Sequence, residues 1–238
     1  MKRILSAAAL AVIATPALAH HPLAGQPMNT FTDGLLSGIG HPLLGFDHLF
    51  FVVAVGLAAA YTGFQRSASA AYIAAMAIGC LMMSFGTGLP VKETIIALSL
   101  LVVGGIVASG RALNLLPALV LFAGFGLFHG SAFGDSIASQ EAGVGGVVLV
   151  GYLIGLAVLQ YAIAMASAYA IKTVFGATEA TAANARVAGA IVAGIGVFLT
   201  LEVIEGAAFA ALGLGAYCLL YTSPSPRDQR GSRMPSSA

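Results

Sequence analysis

The sequence has little charge: 8% of its 238 residues are Asp, Glu, Lys or Arg, against 59% hydrophobic. Soluble domains carry about 25% charged residues, so this composition excludes a water-soluble globule. There is no Trp, and the two cysteines, Cys80 and Cys218, form neither a CxxC pair nor a disulfide framework. Positive charge is not in excess: the formal net charge is +1, which removes the basic footprint of a nucleic-acid binder. No GxxxxGK[ST] phosphate loop occurs, which excludes ATP-driven transport within this chain. What is present is a succession of apolar runs, with a mean hydropathy of +0.96. Each membrane-spanning helix needs roughly 20 apolar residues, so the composition predicts an all-α, polytopic membrane helix bundle.

The two ends differ from the body. Lys2 and Arg3, an apolar stretch over 4–13 and the small-x-small triplet Ala17-Leu18-Ala19 predict a cleaved signal peptide over residues 1–19. From about Tyr221 the composition turns to Ser, Pro and Arg. Residues 221–238 therefore read as a disordered tail or an extension foreign to the fold. Residues 20–220 remain as a single transmembrane helical domain.

Six spans are expected, at roughly 45–61, 70–85, 94–109, 113–128, 144–171 and 187–204, with Pro42 and Pro90 just ahead of the first and third. The apolar stretch 206–220 is short for a seventh span and reads as a terminal interfacial helix. With the mature N-terminus outside, Arg66, Arg111, Lys172 and Arg186 lie inside and only Lys92 outside, the bias expected of the cytoplasmic face. Localisation in a cytoplasmic (inner) membrane follows, with the lipid bilayer as surroundings. Excluding both ends, five basic residues face eight acidic ones, a body charge of −3. Most of the carboxylates fall at outer span ends, a face that attracts cations. Gly126/Gly130, Gly151/Gly155 and Ala190/Gly194 have the small-xxx-small spacing of close helix contacts.

Ionisable residues inside spans cost on the order of 2.5–3.5 kcal/mol on insertion scales, so they mark pathways or partners. The first such group is His41-Pro42-Leu43-Leu44-Gly45-Phe46-Asp47-His48. If Pro42 opens a regular helix, Asp47 and His48 lie more than a turn inside it, and His41 and His48 share a face about 10 Å apart. That spacing suits two stations on a path, or one site if Gly45 breaks the helix. The bland alternative is an interfacial histidine and an Asp favoured by the helix dipole. The second group, His129 with Asp135, Ser136 and Glu141, is expected where the fourth span emerges on the same side; a solvated acidic loop is its bland reading. Glu202 and Glu205, one turn apart, either protonate or face cations. Gln160 and Tyr161 are neutral polar residues within the long fifth span, and Met76, Met82 and Met83 read as packing. Signal cleavage leaves His20 with a free amine next to its imidazole and His21 beyond, a chelate suited to nickel, copper or cobalt. Imidazole with carboxylate and no thiolate pair points to a borderline divalent metal: nickel, cobalt, zinc or copper.

A signal peptide, then HPLLGFDHLFFVVAVG (residues 41–56), then FHGSAFGDSI (residues 128–137) closely resembles the HupE/UreJ family of bacterial membrane proteins, over about residues 20–215. The resemblance implies a nickel or cobalt permease that supplies hydrogenase or urease. It implies no tightly bound cofactor, and His41, Asp47 and His48 as metal-handling residues with His129 as their partner. Ser131 and Phe133 stand where the better-known HGHAHG form has histidines. The leading expectation is a permease, or the membrane component of an uptake route, with a second copy of the chain or a partner transport protein as further candidate partners. A membrane-embedded zinc hydrolase is the second, although no HExxH motif is present. A non-transporting metal sensor or donor is the third.

Overall fold

The structure is a computed structural model that describes residues 28–138 and 145–212. His20, His21, Glu141, the signal segment and the tail lie outside the described residues. Among the described residues seven helices run in order: α1 (Phe31–Leu44), α2 (Phe46–Ala59), α3 (Gln65–Ser84), α4 (Lys92–Ala108), α5 (Leu115–Ala138), α6 (Gly146–Thr173) and α7 (Ala183–Ala211). Among the described residues no strand occurs. Hydrocarbon offers no hydrogen-bond partner to a backbone, so intra-helical bonding is the available solution.

Among the described residues four helices (α3, α5, α6 and α7) are long and apolar enough to cross a bilayer. The pair α1 and α2 qualifies together as one broken span, bent by 82°. Helix α4 has 17 residues, at the lower limit of a span. The six expected segments are thus found as helices, but the first, α2, is only the second half of a bent pair, and α5, the fourth expected segment, runs ten residues beyond the expected end at 128. Helix α1 was not expected. Its signal is the Thr30–Asp33 capping box, in which Thr30 Oγ1 accepts from the Asp33 N–H and the Asp33 carboxylate accepts from the Thr30 N–H. Pro42 lies inside α1 rather than opening a helix. The stretch 206–211 continues α7 instead of starting an interfacial helix.

Helix α2 is central. It touches every other helix, whereas α3 packs chiefly on α5, α4 on α7, and α1 on α6. The apolar core gathers around it, with Phe51, Tyr72, Phe122, Phe133 and Tyr152 fully buried. Helix α7 is peripheral and exposes Val187, Ile191, Phe198, Leu201 and Ile204, the expected inversion for a face meeting lipid. Three contacts near helix ends tie the elements together: Arg186 Nε donates to Ala108 O at 3.0 Å, Tyr61 Oη to Ala177 O at 2.9 Å and Lys92 Nζ to Asp135 Oδ1 at 2.6 Å. Arg66, Arg111, Lys172 and Arg186 therefore belong to one end of the bundle, and Lys92 to the other.

Small residues set the closest approaches. A Cβ on Gly79 would overlap the Leu127 carbonyl oxygen and one on Gly130 the Met76 carbonyl oxygen, so α3 and α5 meet backbone to backbone. Gly151 and Gly155 lie likewise against Phe31 and Leu35 of α1. The third expected pair is not at an interface: Gly194 has open space beside it, and α7 instead meets α4 through Gly189 and Gly196. Gly130→Ala should cost about 1–3 kcal/mol through overpacking and lower the thermal unfolding temperature in detergent. Gly194→Ala should stay within about 0.5 kcal/mol of the parent.

Candidate metal-handling site

The first motif is split by the α1–α2 break. Gly45 caps both helices with φ −86° and ψ 94°; its N–H bonds to the His41 carbonyl at 2.9 Å, and its own carbonyl accepts the Leu49 N–H at 2.9 Å. The turn is thereby hydrogen-bonded at both sides. A Cβ at Gly45 would sit 2.9 Å from His48 Cδ2 and 3.2 Å from Asp47 Oδ1, so the missing side chain is what lets the motif fold back on itself. The bend brings the His41 and His48 rings to 6.0 Å between centroids, in place of the 10 Å axial separation of a regular helix. Of the two arrangements left open by the sequence, the broken helix is the one present. Asp47 and His48 consequently sit in the first turn of α2, not more than a turn inside a helix.

His129 is within α5 and fully buried, not at a helix boundary. It lies nine residues short of Ala138, about 14 Å below that end of the bundle at 1.5 Å per residue. Its Nδ1 is 2.9 Å from His48 Nδ1 and its Nε2 is 2.9 Å from Ser99 Oγ. The Ser99 hydroxyl donates to Ile96 O at 2.6 Å, so its oxygen accepts the proton on His129 Nε2. His129 Nδ1 is then the acceptor of the His48 Nδ1–H, and the lone pair of His48 falls on Nε2. That nitrogen is 3.8 Å from Asp47 Oδ2. The same logic applies to His41: Tyr152 Oη donates to Phe133 O at 3.0 Å and accepts from His41 Nδ1 at 2.8 Å, with Ser136 Oγ 3.1 Å from the same nitrogen. Its basic nitrogen is also Nε2.

Aromatic rings wall the cluster. Phe51 stacks on His129 at 4.1 Å, and Phe133 packs on His48 at 4.2 Å and on His41 at 5.0 Å. Phe133 therefore presents an apolar ring to two imidazoles, at a position where a histidine would join them. Ser131 faces elsewhere, accepting the Leu89 N–H at 3.0 Å.

The remaining candidates are dispersed. Asp135 is in the last turns of α5, not in a loop free of basic residues, and it is ion-paired with Lys92. Glu202 and Glu205 are exposed on α7, which contributes no side chain to the cluster. Among the described residues, no three His, Cys, Asp or Glu side chains are gathered closely enough to hold one metal ion. Ser99, Tyr152 and Tyr72 were missed by the sequence reading; their signal is a lone polar residue within an apolar run.

Taken together, an all-helical bundle with buried imidazoles from three helices and an adjacent carboxylate defines an integral membrane protein built around a polar interior. A family model described as HupE / UreJ protein matches residues 8–199. The chain belongs to that family of transporter-like accessory proteins, which is associated with nickel or cobalt uptake for hydrogenase or urease. Protein HupE of Rhizobium leguminosarum bv. viciae is 32% identical over 152 residues, 63% of this chain and 76% of the relative. No solved structure matches the chain.

The Ser99 hydroxyl orders the tautomers of His129 and His48. Ser99→Ala leaves a buried N–H unsatisfied and should cost about 1–3 kcal/mol of stability, measured as a lowered unfolding temperature in detergent. Ser167→Ala should cost much less, because its hydroxyl donates only to Ile163 O and Ala164 O of its own helix.

Proposed function

We propose that the chain is a nickel or cobalt permease, or the membrane component of an uptake route, and that Asp47 and His48 hold the ion at its outer-side first binding site, with His41 and His129 as the imidazoles that flank and orient them. The observation that carries this reading is the convergence of three buried histidines from α1, α2 and α5 beside the Asp47 carboxylate. The 3.8 Å between His48 Nε2 and Asp47 Oδ2 suits an ion with metal–ligand bonds of about 2.1 Å to each. Fewer than three protein ligands leaves water to complete the coordination, which favours passage: a conducted ion must bind well enough to arrive and weakly enough to leave. Nitrogen and carboxylate donors suit nickel and cobalt, with zinc and copper as competitors. The phenyl ring of Phe133, standing among the imidazoles, lowers the nitrogen count and with it the affinity.

Asp135 takes a separate role in this reading. At the end of the bundle above the cluster, an arriving cation meets a carboxylate already holding the Lys92 ammonium. Orientation follows the basic residues, with the Arg66, Arg111, Lys172 and Arg186 end in the cytoplasm and the mature N-terminus outside a bacterial inner membrane.

Metal content of cells expressing the chain, measured in parallel for nickel, cobalt, zinc and copper, tests the function. Asp47→Asn and His48→Ala should each abolish accumulation while membrane abundance stays near that of the parent, and Glu179→Gln should change nothing. Normal accumulation by Asp47→Asn would reduce that carboxylate to a helix-start residue. Purified protein retaining stoichiometric zinc without uptake would point to the hydrolase instead.

Topology has its own test. A reporter fused after Arg111 should behave as cytoplasmic and one fused within residues 136–141 as external; the reverse at either place overturns the orientation.

A further inference from the structure

Below the imidazoles lies a second polar group that the first binding site does not use. Gln160 of α6 is fully buried, eight residues beyond Tyr152 and so about 12 Å deeper along the helix. Its Oε1 accepts from Tyr72 Oη at 2.5 Å, while its Nε2 has no hydrogen-bond partner. Ser69, one turn from Tyr72 on α3, is also fully buried with an unpartnered hydroxyl. Unsatisfied buried polar atoms in a membrane interior are costly and call for a function, a water or an ion. Gln160 is tied to α3 through Tyr72, and Ser69 lies one turn from Tyr72 on that same helix.

Position gives them a direction. The Tyr72 ring meets His129 edge-on at 6.3 Å, which joins this group to the cluster above. On the other side, a depression of about 640 Å³ opens at the opposite end of the bundle, lined in part by Gln65, Arg66, Tyr161 and Met165. Tyr161 follows Gln160 directly in α6. Imidazoles, the Tyr72–Gln160 pair, Ser69 and this depression therefore succeed one another from one end of the bundle to the other.

We propose that Tyr72 and Gln160, with Ser69, form an inner station for the transported divalent cation, where imidazole nitrogen is exchanged for neutral oxygen donors and water before release into the depression. This rests on the permease reading above. A half-turn of the Gln160 amide about its last bond carries Oε1 to the unpartnered side and lets Nε2 donate to Tyr72 Oη. Neutral oxygens hold a borderline cation more weakly than imidazole with carboxylate, and Arg66 at the rim opposes its retention. The station thus passes the ion on without trapping it.

The test separates binding from movement, using the purified full-length chain with nickel and cobalt as probes. Equilibrium binding in detergent reads the imidazole site, and uptake into proteoliposomes reads the whole route. Gln160→Leu removes the polar atoms at similar size; it should bind within about twofold of the parent yet lose at least about tenfold in uptake, the scale of one lost polar partner to a charge. Tyr72→Phe should show the same split, and Gln160→Glu, which keeps two oxygens, should retain most uptake. Unchanged uptake by Gln160→Leu overturns the station and leaves a site for a structural water only. Loss of binding together with uptake in Gln160→Leu and Tyr72→Phe also overturns it, because the pair then supports the imidazoles rather than receiving the ion. A parent chain that binds neither nickel nor cobalt overturns the permease reading itself.

Discussion

A backbone group without a partner in hydrocarbon costs several kcal/mol, so a helix can be interrupted at depth only where protein covers the interruption. The α1–α2 junction meets this condition at Gly45, whose N–H and carbonyl are both hydrogen-bonded to neighbouring turns. The approach of His41 to His48 depends on that covered break. The break turns the chain by 82°, buries His48 while Phe46 stays exposed and gives Asp47 and His48 a helix N-terminus to stand on. The dipole there favours the Asp47 carboxylate, while α5 supplies the buried His129 opposite. A continuous helix would have kept His41 and His48 apart, with no common partner.

Burying three imidazoles needs a network in which every donor finds an acceptor, since a half-satisfied polar cluster is worse than an apolar one. Two serial chains meet that need. One runs from His48 through His129 and Ser99 to the Ile96 carbonyl, and the other from His41 through Tyr152 to the Phe133 carbonyl. Each ends on a backbone oxygen, and each leaves the basic nitrogen of its first histidine at Nε2. The direction of the protons is thus set by two hydroxyls that bear no metal chemistry of their own. Aromatic rings, Phe51 on His129 and Phe133 on His48 and His41, exclude lipid and hold the rings in place.

The close helix contacts serve the same cluster. Between lipid and protein there is little hydrophobic difference, so helices associate through backbone proximity and packing. Gly79 and Gly130 draw α3 onto α5 next to His129, and Gly151 and Gly155 draw α6 onto α1 on either side of Tyr152. The glycines and the polar groups alternate along the same helices, which ties the geometry of the site to the tightest packing in the fold.

Composition and periodicity by themselves determined the class: too little charge for a soluble domain, apolar runs of spanning length, basic residues gathered at one end, and ionisable residues in two motifs that carried the family resemblance. Those properties are local, because the cost of placing a side chain in hydrocarbon depends on the side chain and its depth. Only tertiary structure decided which motif residues meet. His41 and His48 come together because Gly45 breaks the helix, and His129 joins them because α5 continues ten residues past its most apolar stretch, a continuation that hydropathy under-reads wherever Gly, Ser and His dilute it. Asp135 drew attention as an outer carboxylate, yet its partner is Lys92, 43 residues away in the chain. Ser99, Tyr152, Tyr72 and Gln160 are single polar residues in apolar runs, a signal that marks the position but not the partner. Their roles exist only through neighbours supplied by other helices, at separations that a local pattern does not encode.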